Sequence, residues 1–306
     1  MDKIDIILCQ LLLGNSRLSY RELADTLNLS VTAIHKRIQE LIESGIIRKF
    51  TAKLSLFQLN ALHVLVSGSS KLNSVQRLPE KLESNGLIYW LAIGGGNDLY
   101  IGAYLQDINE LETLVSFVRD TAQIPEPTVG ITTYPKQHGL IPDPEKRTLY
   151  PLDYQIIASL ENNSRKATSE IAEELHVSAK TVRRRLTRMT ENRLIELSME
   201  WYPDASNDIF SVLHVRLKPE TNKNTMNMLF QKYTPNIVFY WGLSNIPNTF
   251  ISVVWTNRVK DLQRIRENLE KEATVQSVAP NILYRGYIFR TWRDQLLEDK
   301  ASMSLS

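Results

Sequence analysis

An α+β architecture, in which two three-helix segments alternate with two segments of mixed strand and helix, is predicted by three features of this chain. The first is an internal repeat, the second the helical spacing inside the repeated segment, and the third the order of elements after each copy. Of the 306 residues, 43% are hydrophobic and 23% charged, the balance of a chain able to fill several small cores.

The repeat appears when Asp5 is laid on Asp153, an offset of 148, and the chain is followed without a gap. Asn15-Ser16-Arg17 falls on Asn163-Ser164-Arg165, Glu22 on Glu170, Ala24 on Ala172, Leu27 on Leu175, Ser30 on Ser178, Arg37 on Arg185 and Glu43 on Glu191. Apolar positions agree in kind, as with Leu23 and Ile171, Ile34 and Val182, or Leu41 and Met189.

Each copy reads as three helices. The first is amphipathic and ends near Gly14, or Asn162 in the second copy. The second starts at Ser19, whose Ser-x-x-Glu spacing with Glu22 forms a capping box, and ends at Leu27. In the second copy Ala167 stands at the cap position, so Thr168 or Ser169 is expected to cap instead. After a tight turn, Asn28-Leu29 or His176-Val177, Ser30 and Ser178 cap a third helix. Two helices joined so closely form a helix-turn-helix, and the runs Ile46–Leu54 and Leu194–Tyr202 are expected to form short wing hairpins.

The following segments read strand Ala61–Ser67, helix Leu72–Ser84, strands Leu87–Ile93 and Leu99–Leu105, helix Asn109–Ala122 and strand Thr128–Tyr134. The order repeats as Phe210–Leu217, Asn222–Tyr233, Ile237–Leu243, Thr249–Trp255, Lys260–Glu272 and Val275–Tyr284. Such a βαββαβ order is that of a ferredoxin-like sandwich. The expected boundaries are therefore 1–54 for the first winged helix-turn-helix, 55–135 for the first sandwich and 136–151 for a proline-bearing, charged linker. Residues 152–203 form the second winged helix-turn-helix, 204–286 the second sandwich and 287–306 a tail helix.

Composition narrows the function. Cys9 is the single cysteine, which rules out an intrachain disulfide and a tetrathiolate zinc site and suits a reducing compartment. The histidines His35, His63, His138, His176 and His214 show no metal-binding spacing, and neither a metal nor a cofactor is expected. No stretch approaches the roughly 18–20 apolar residues of a membrane span, and Asp2, Asp5 and Gln10 interrupt the apolar N-terminus. A cytoplasmic protein without membrane contact follows. Net charge is +2, with 15 basic against 16 acidic residues before position 148 and 21 against 18 after it.

The basic surplus gathers on the second copy's third helix. A helix in this position suits the major groove of double-stranded DNA, which admits a helix and shows a distinct pattern for each base pair. On the first copy Ile34, Ile38, Leu41 and Ile42 make the expected buried stripe, leaving Thr32, His35, Lys36 and Gln39 outward. Arg48, Lys49 and Lys53 on the wing would reach flanking phosphates. On the second copy Val182, Leu186 and Met189 are buried, leaving Lys180, Arg183, Arg184, Thr187 and Arg188 outward, a density suited to phosphate contact. Arg17 and Arg165 are expected to brace the domain, and Arg37 and Arg185 to pack along its edge.

The run Asp5…Leu8…Leu12…Asn15-x-Arg17…Glu22-Leu23-Ala24…Leu29-Ser30…Arg37-Ile38…Leu41…Gly45-Ile46-Ile47 resembles the leucine-responsive regulatory protein (Lrp/AsnC) family. The second copy departs from it at Arg193, where the first has Gly45. The resemblance implies a transcription regulator that binds DNA by its helix-turn-helix and self-associates through the sandwich, the RAM domain, which in this family often takes an amino-acid effector. The family's Gly-x-x-Asp turn is matched by Gly95 and Asp98, whereas Asn245-Ile246-Pro247-Asn248 does not match it. With two units in one chain, the sandwiches are expected to pair as an internal pseudo-dimer, and two chains to form a homodimer. Two alternatives share the pattern. Siroheme decarboxylases have the same double architecture, and His63 and His214 occupy matched strand positions, but the chain lacks a Trp-Pro-Tyr-Asn-like motif or paired arginines beside a sandwich histidine, and no catalytic residue is assigned. The other alternative is an architectural chromatin protein of low sequence preference.

Overall fold

The computed structural model describes residues 1–133, 148–221 and 224–303. The chain divides into two compact units. One gathers Ile7–Ala61, His138–Tyr202 and Arg290–Ser306, and therefore both helix-turn-helix copies and the tail; the other gathers Met1–Ile6, Leu62–Gln137 and Pro203–Phe289, and therefore both sandwiches. Most of the expected linker, with His138 and the strand end at Tyr134, lies outside the described residues.

In the helix-turn-helix unit the first copy comprises α1 (Lys3–Gly14), α2 (Tyr20–Leu27) and α3 (Val31–Glu43), followed by β1 (Ile47–Leu54). The second comprises α6 (Pro151–Leu160), α7 (Thr168–Glu174), α8 (Ala179–Glu191) and β6 (Ile195–Trp201). The Ser19–Glu22 capping box is present, and Ser30 and Ser178 accept from Ala33 N and Thr181 N, satisfying donors that the first helical turn leaves open. At α7 the cap residue is Ala167 itself, with no side-chain cap, so neither Thr168 nor Ser169 takes over. Its backbone, at φ −67° and ψ 145°, nearly repeats that of Ser19, and the second helix starts in register without the hydroxyl. The turn residues Asn28 and His176 are both left-handed, at φ 53° and 54°.

The expected wings are not hairpins. Each is a single strand, and the two pair with each other, antiparallel, as a two-stranded sheet. Phe50 faces Met199 and Thr51 faces Ser198; the repeat offset turns one pair into the other, so a local two-fold axis passes between them. Ser16 and Ser164 share a hydroxyl hydrogen bond of 2.6 Å across the same axis. Arg17 donates to the carbonyls of Ser164 and Lys166, and Arg165 to those of Ser16 and Leu18. Both bracing arginines thus act between copies. Ala52 and Leu54 of β1 enter the second copy's core with Ile156, Ile171, Val182, Leu186 and Met189. Ile42, expected in the buried stripe, is 37% exposed; Ile34, Ile38 and Leu41 fill that stripe without it.

The tail forms α11 (Trp292–Ser302), opened by a Thr291–Asp294 capping box. Leu297 joins the second copy's core, Lys53 pairs with Asp294 at 2.7 Å and Arg293 with Glu196 at 2.8 Å.

In the second unit, the first sandwich is β2 (Leu62–Ser69), α4 (Leu78–Glu83), β3 (Ile88–Gly94), β4 (Asp98–Leu105), α5 (Glu110–Ala122) and β5 (Thr128–Thr133). The second is β7 (Ile209–Leu217), α9 (Thr225–Tyr233), β8 (Ile237–Leu243), β9 (Thr249–Thr256), α10 (Val259–Glu270) and β10 (Val275–Ile288). The helix expected from Leu72 is shorter, because Pro79, lacking an N–H, occupies its first turn. Asn222, the expected start of α9, lies outside the described residues.

The sandwiches pair within the chain. Their strands close one antiparallel barrel in the order β10-β3-β4-β2-β5-β8-β9-β7. β10 runs along β7 through Ile282 and continues along β3 from Leu283, which explains its length beyond the expected Tyr284. Buried strand and helix residues such as Val64, Leu91, Ile101, Leu114 and Val118 make one core, and Leu213, Phe250, Leu262, Ile265 and Leu269 the other. Among the described residues no helix is long and apolar enough to cross a membrane, and no cluster of three or more His, Cys, Asp or Glu could hold a metal.

Candidate functional site

On α3 the residues opposite the buried stripe, Thr32, His35, Lys36 and Gln39, are all exposed. Lys36 lies 3.7 Å from Glu40, a solvated pair with side chains 77% and 60% exposed, so it stays free to change partner. His35 leans on Tyr20 with ring centroids 5.2 Å apart. On α8 the matched positions are Lys180, Arg183, Arg184 and Thr187, also exposed.

The other expected contacts are engaged inside the fold. Arg188 puts Nη2 at 2.5 Å from Asp153 Oδ2 and donates Nη1 to the carbonyl of Thr148. Arg185 meets the other oxygen, Oδ1, at 3.0 Å, and the Asp153 carboxylate is fully buried. A buried carboxylate requires such partners, and Arg188 is therefore a brace of the second copy rather than an open contact. Lys49 reaches Glu200 and Asn162, each at 3.1 Å. Arg48, though exposed, lies 3.5 Å over the Tyr202 ring, and Lys53 holds Asp294. The single-strand form of β1 is the reason: its side chains meet β6 and the tail instead of projecting from a hairpin tip.

The turn expected to hold an effector is filled from within. Asn281 of β10 accepts from Gly95 N at 2.7 Å and donates to Asp98 Oδ2 at 2.6 Å, while Ser69 donates to the other carboxylate oxygen. A Cβ on Gly94 would lie 2.6 Å from Asn281 Oδ1, so glycine there makes room for a side chain of the same protein. Gly96 and Asn97 take φ 66° and 61°, a tight left-handed passage that favours glycine and asparagine.

The paired histidines lie in the barrel, in unlike settings. His63 is buried, with Nδ1 2.7 Å from Thr132 Oγ1 and Nε2 2.9 Å from Tyr89 Oη. Burial pulls its pKa down to about 4, so it is a neutral imidazole near pH 7. Tyr89 stacks on Tyr104 beside it at 4.1 Å. His214 meets Tyr100 Oη at 2.9 Å; burial lowers its pKa, and the charge of Asp98 opposes that shift.

Residues 1–48 match the family described as winged helix-turn-helix DNA-binding, and residues 151–190 match the AsnC-type helix-turn-helix domain. An HTH-type transcriptional regulator of Pyrococcus abyssi is 30% identical over 122 residues, 39% of this chain and 82% of the relative. The chain belongs to the Lrp/AsnC family. It is a DNA-binding transcriptional regulator in which the family's unit occurs twice. A second regulator of that type, from Pyrococcus horikoshii, is 43% identical over 74 residues, 24% of this chain and 50% of the relative. The siroheme decarboxylase NirDL aligns over 100% of both chains with a TM-score of 0.59 and 12% identity, so this Lrp/AsnC protein shares the double fold with it.

Three residues that matter to these sites are not marked by motif or spacing. Tyr150 falls in the expected linker, although an aromatic residue just before the helix-starting Pro151 is a usable signal. Asp153 stands out in the sequence only as the start of the repeat. Asn281 carries no local signal, because it reaches its turn only through strand pairing between the sandwiches.

Proposed function

We propose that this regulator reads double-stranded DNA sequence-specifically, with α3 and α8 each entering a major groove of one operator. Thr32, His35, Lys36 and Gln39 read one half, Lys180, Arg183, Arg184 and Thr187 the other, and Arg48 and Lys49 lie near the flanking backbone. The observation that carries this reading is the pair of matched, exposed donor rows on two helices related by the β1–β6 axis. Cytoplasmic location accords with it. Binding to a pool of genomic fragments across a salt series, with Lys36→Ala and Arg184→Ala alongside, is the test. Enrichment of a few promoter fragments, weakened in both variants, is expected. Uniform binding that collapses with salt would instead mark an architectural chromatin protein.

The barrel is proposed to be non-catalytic. Both ring nitrogens of His63 are occupied by Thr132 and Tyr89, and the NirDL likeness is one of fold. Incubation with an iron tetrapyrrole, followed by absorption spectroscopy and product analysis, is expected to show no turnover; decarboxylated product would overturn this. An amino-acid effector at Gly95 and Asp98 would have to displace Asn281. Self-association into a homodimer with four helix-turn-helix modules is the expected assembly, and a monomeric mass by light scattering would count against it.

A further inference from the structure

We infer that the second helix-turn-helix, and not the first, carries a seat for a phosphate oxyanion, lined by Tyr150, Arg184, Arg185 and Arg188. The inference rests on the DNA-reading function proposed above and assigns a chemical role to one part of that surface. The four side chains surround an open recess of about 270 Å³. Three guanidinium groups share it, and the only carboxylate bonded to any of them among the described residues is Asp153, which holds Arg185 and Arg188. Among the described residues the recess therefore keeps a surplus of two positive charges.

Two donors are left over. Arg184 is exposed and makes no ion pair among the described residues. The Nε of Arg185 is buried without a hydrogen-bond partner among the described residues, so the bonding capacity of this guanidinium is not used up by Asp153. Tyr150 keeps the site in shape: its ring lies 5.9 Å from the Arg185 guanidinium carbon and 5.3 Å from that of Arg188. Its own 50% exposure leaves one side open to solvent. Planar guanidinium forks held in fixed directions suit the tetrahedral oxygens of a phosphate, which they bind in bidentate fashion.

The first copy cannot build the same seat. At the position matching Arg188 it has Glu40, which lies 3.7 Å from Lys36, the match of Arg184. One position thus supplies a cation in the second copy and an anion in the first. The half-site under α8 is therefore gripped at its backbone as well as read, while the half-site under α3 lacks this grip.

The test measures affinity of the full chain for an enriched fragment over a salt series, comparing wild type with Arg184→Gln and Lys36→Gln. Arg184→Gln leaves the Asp153 pairs intact, so the fold is preserved. Each phosphate contact contributes close to one unit to the slope of log affinity on log salt, and Arg184→Gln is expected to reduce that slope by about 1 without changing the preferred sequence. Lys36→Gln should change base preference with a smaller effect on slope. Methylphosphonate placed at single DNA phosphates should weaken binding in one half-site only. Inorganic phosphate added at constant ionic strength separates the sources. Displacement of DNA from wild type but not from Arg184→Gln gives the seat to free phosphate as well, and no displacement gives it to the DNA backbone. Intact DNA binding with equal slopes in wild type and Arg184→Gln overturns the seat alone. If wild type enriches no fragment, the DNA reading fails, and titration with inorganic phosphate decides the seat: binding lost in Arg184→Gln retains it, and no binding removes it.

Discussion

In the first helix-turn-helix, Ser19 caps α2 with Glu22 closing the box, and Gly45 makes the left-handed turn toward β1 at φ 76°. In the second, Ala167 offers no cap and Arg193 makes the same turn at φ 54°. What the second copy lacks locally it has gained at longer range. Asp153 ties α6 to α8 through Arg185 and Arg188, and α11 adds Leu297 to the core. The two copies show that one backbone is kept when a helix cap and a turn glycine are lost, with the Asp153 ties present in the copy that lacks them. The barrel holds a contrast of its own: His63 is sealed between Thr132 and Tyr89, while its match His214 meets Tyr100 and feels the charge of Asp98.

Removing Asp153 is the most direct way to break the comparison. Asp153→Ala would leave two guanidinium groups without their buried partner, and a loss of about 3–5 kcal/mol is expected. Urea unfolding followed by fluorescence measures it, and the matching Asp5→Ala change in the first copy, where Asp5 is only half-buried and Glu40 stands at the position of Arg188, should cost less. An effect of equal size at both positions would show the copies to be held alike.

Acid sharpens the barrel's half of the comparison. His63 has a folded pKa depressed to about 4, so the unfolded chain takes up a proton first as pH falls. Its stabilising contribution is fully present above pH 6.5 and is lost between about 6.5 and 4, to a total of about 3 kcal/mol. Unfolding free energies at several pH values should show this fall in wild type and a flatter profile in His63→Gln. His214, whose depression is opposed by Asp98, should contribute a smaller fall, removed by His214→Gln.

Restoring the local devices gives the smaller effects. Ala167→Ser rebuilds the missing cap and should add about 1 kcal/mol. Arg193→Gly relieves a left-handed side-chain residue and, because glycine also loosens the unfolded chain, should add less than about 1 kcal/mol. Thermal melting of each variant against wild type checks both, and a melting point that does not rise in either would show that the tail already compensates.

Where structure depends on nearby residues, the sequence was legible. The Ser30 and Ser178 caps, the capping box at Ser19, the exposed rows on α3 and α8 and the βαββαβ order all follow from spacing and from the chemistry of helix ends. Intrachain pairing of the sandwiches also followed, once two units were seen in one chain. Pairing that joins distant strands was not legible. A run such as Ile46–Leu54 alternates equally well as a hairpin arm or as a lone strand seeking its copy, and only the partner strand decides. The same reason hid Asn281, and it took Lys53 and Arg188 from the interface: each meets a carboxylate that sequence spacing does not place beside it.

The β1–β6 pairing has a consequence for regulation in time. Two helix-turn-helix copies joined in one polypeptide meet at an effective concentration set by the tether, of the order of millimolar for short connections, and not by how much protein the cell makes. The pair is assembled as soon as one chain has folded, so the two-headed form does not dissolve at low expression. Neither half can be exchanged for that of a related regulator. Within one chain a change in one recognition helix is not imposed on the other, so the two copies are free to drift apart.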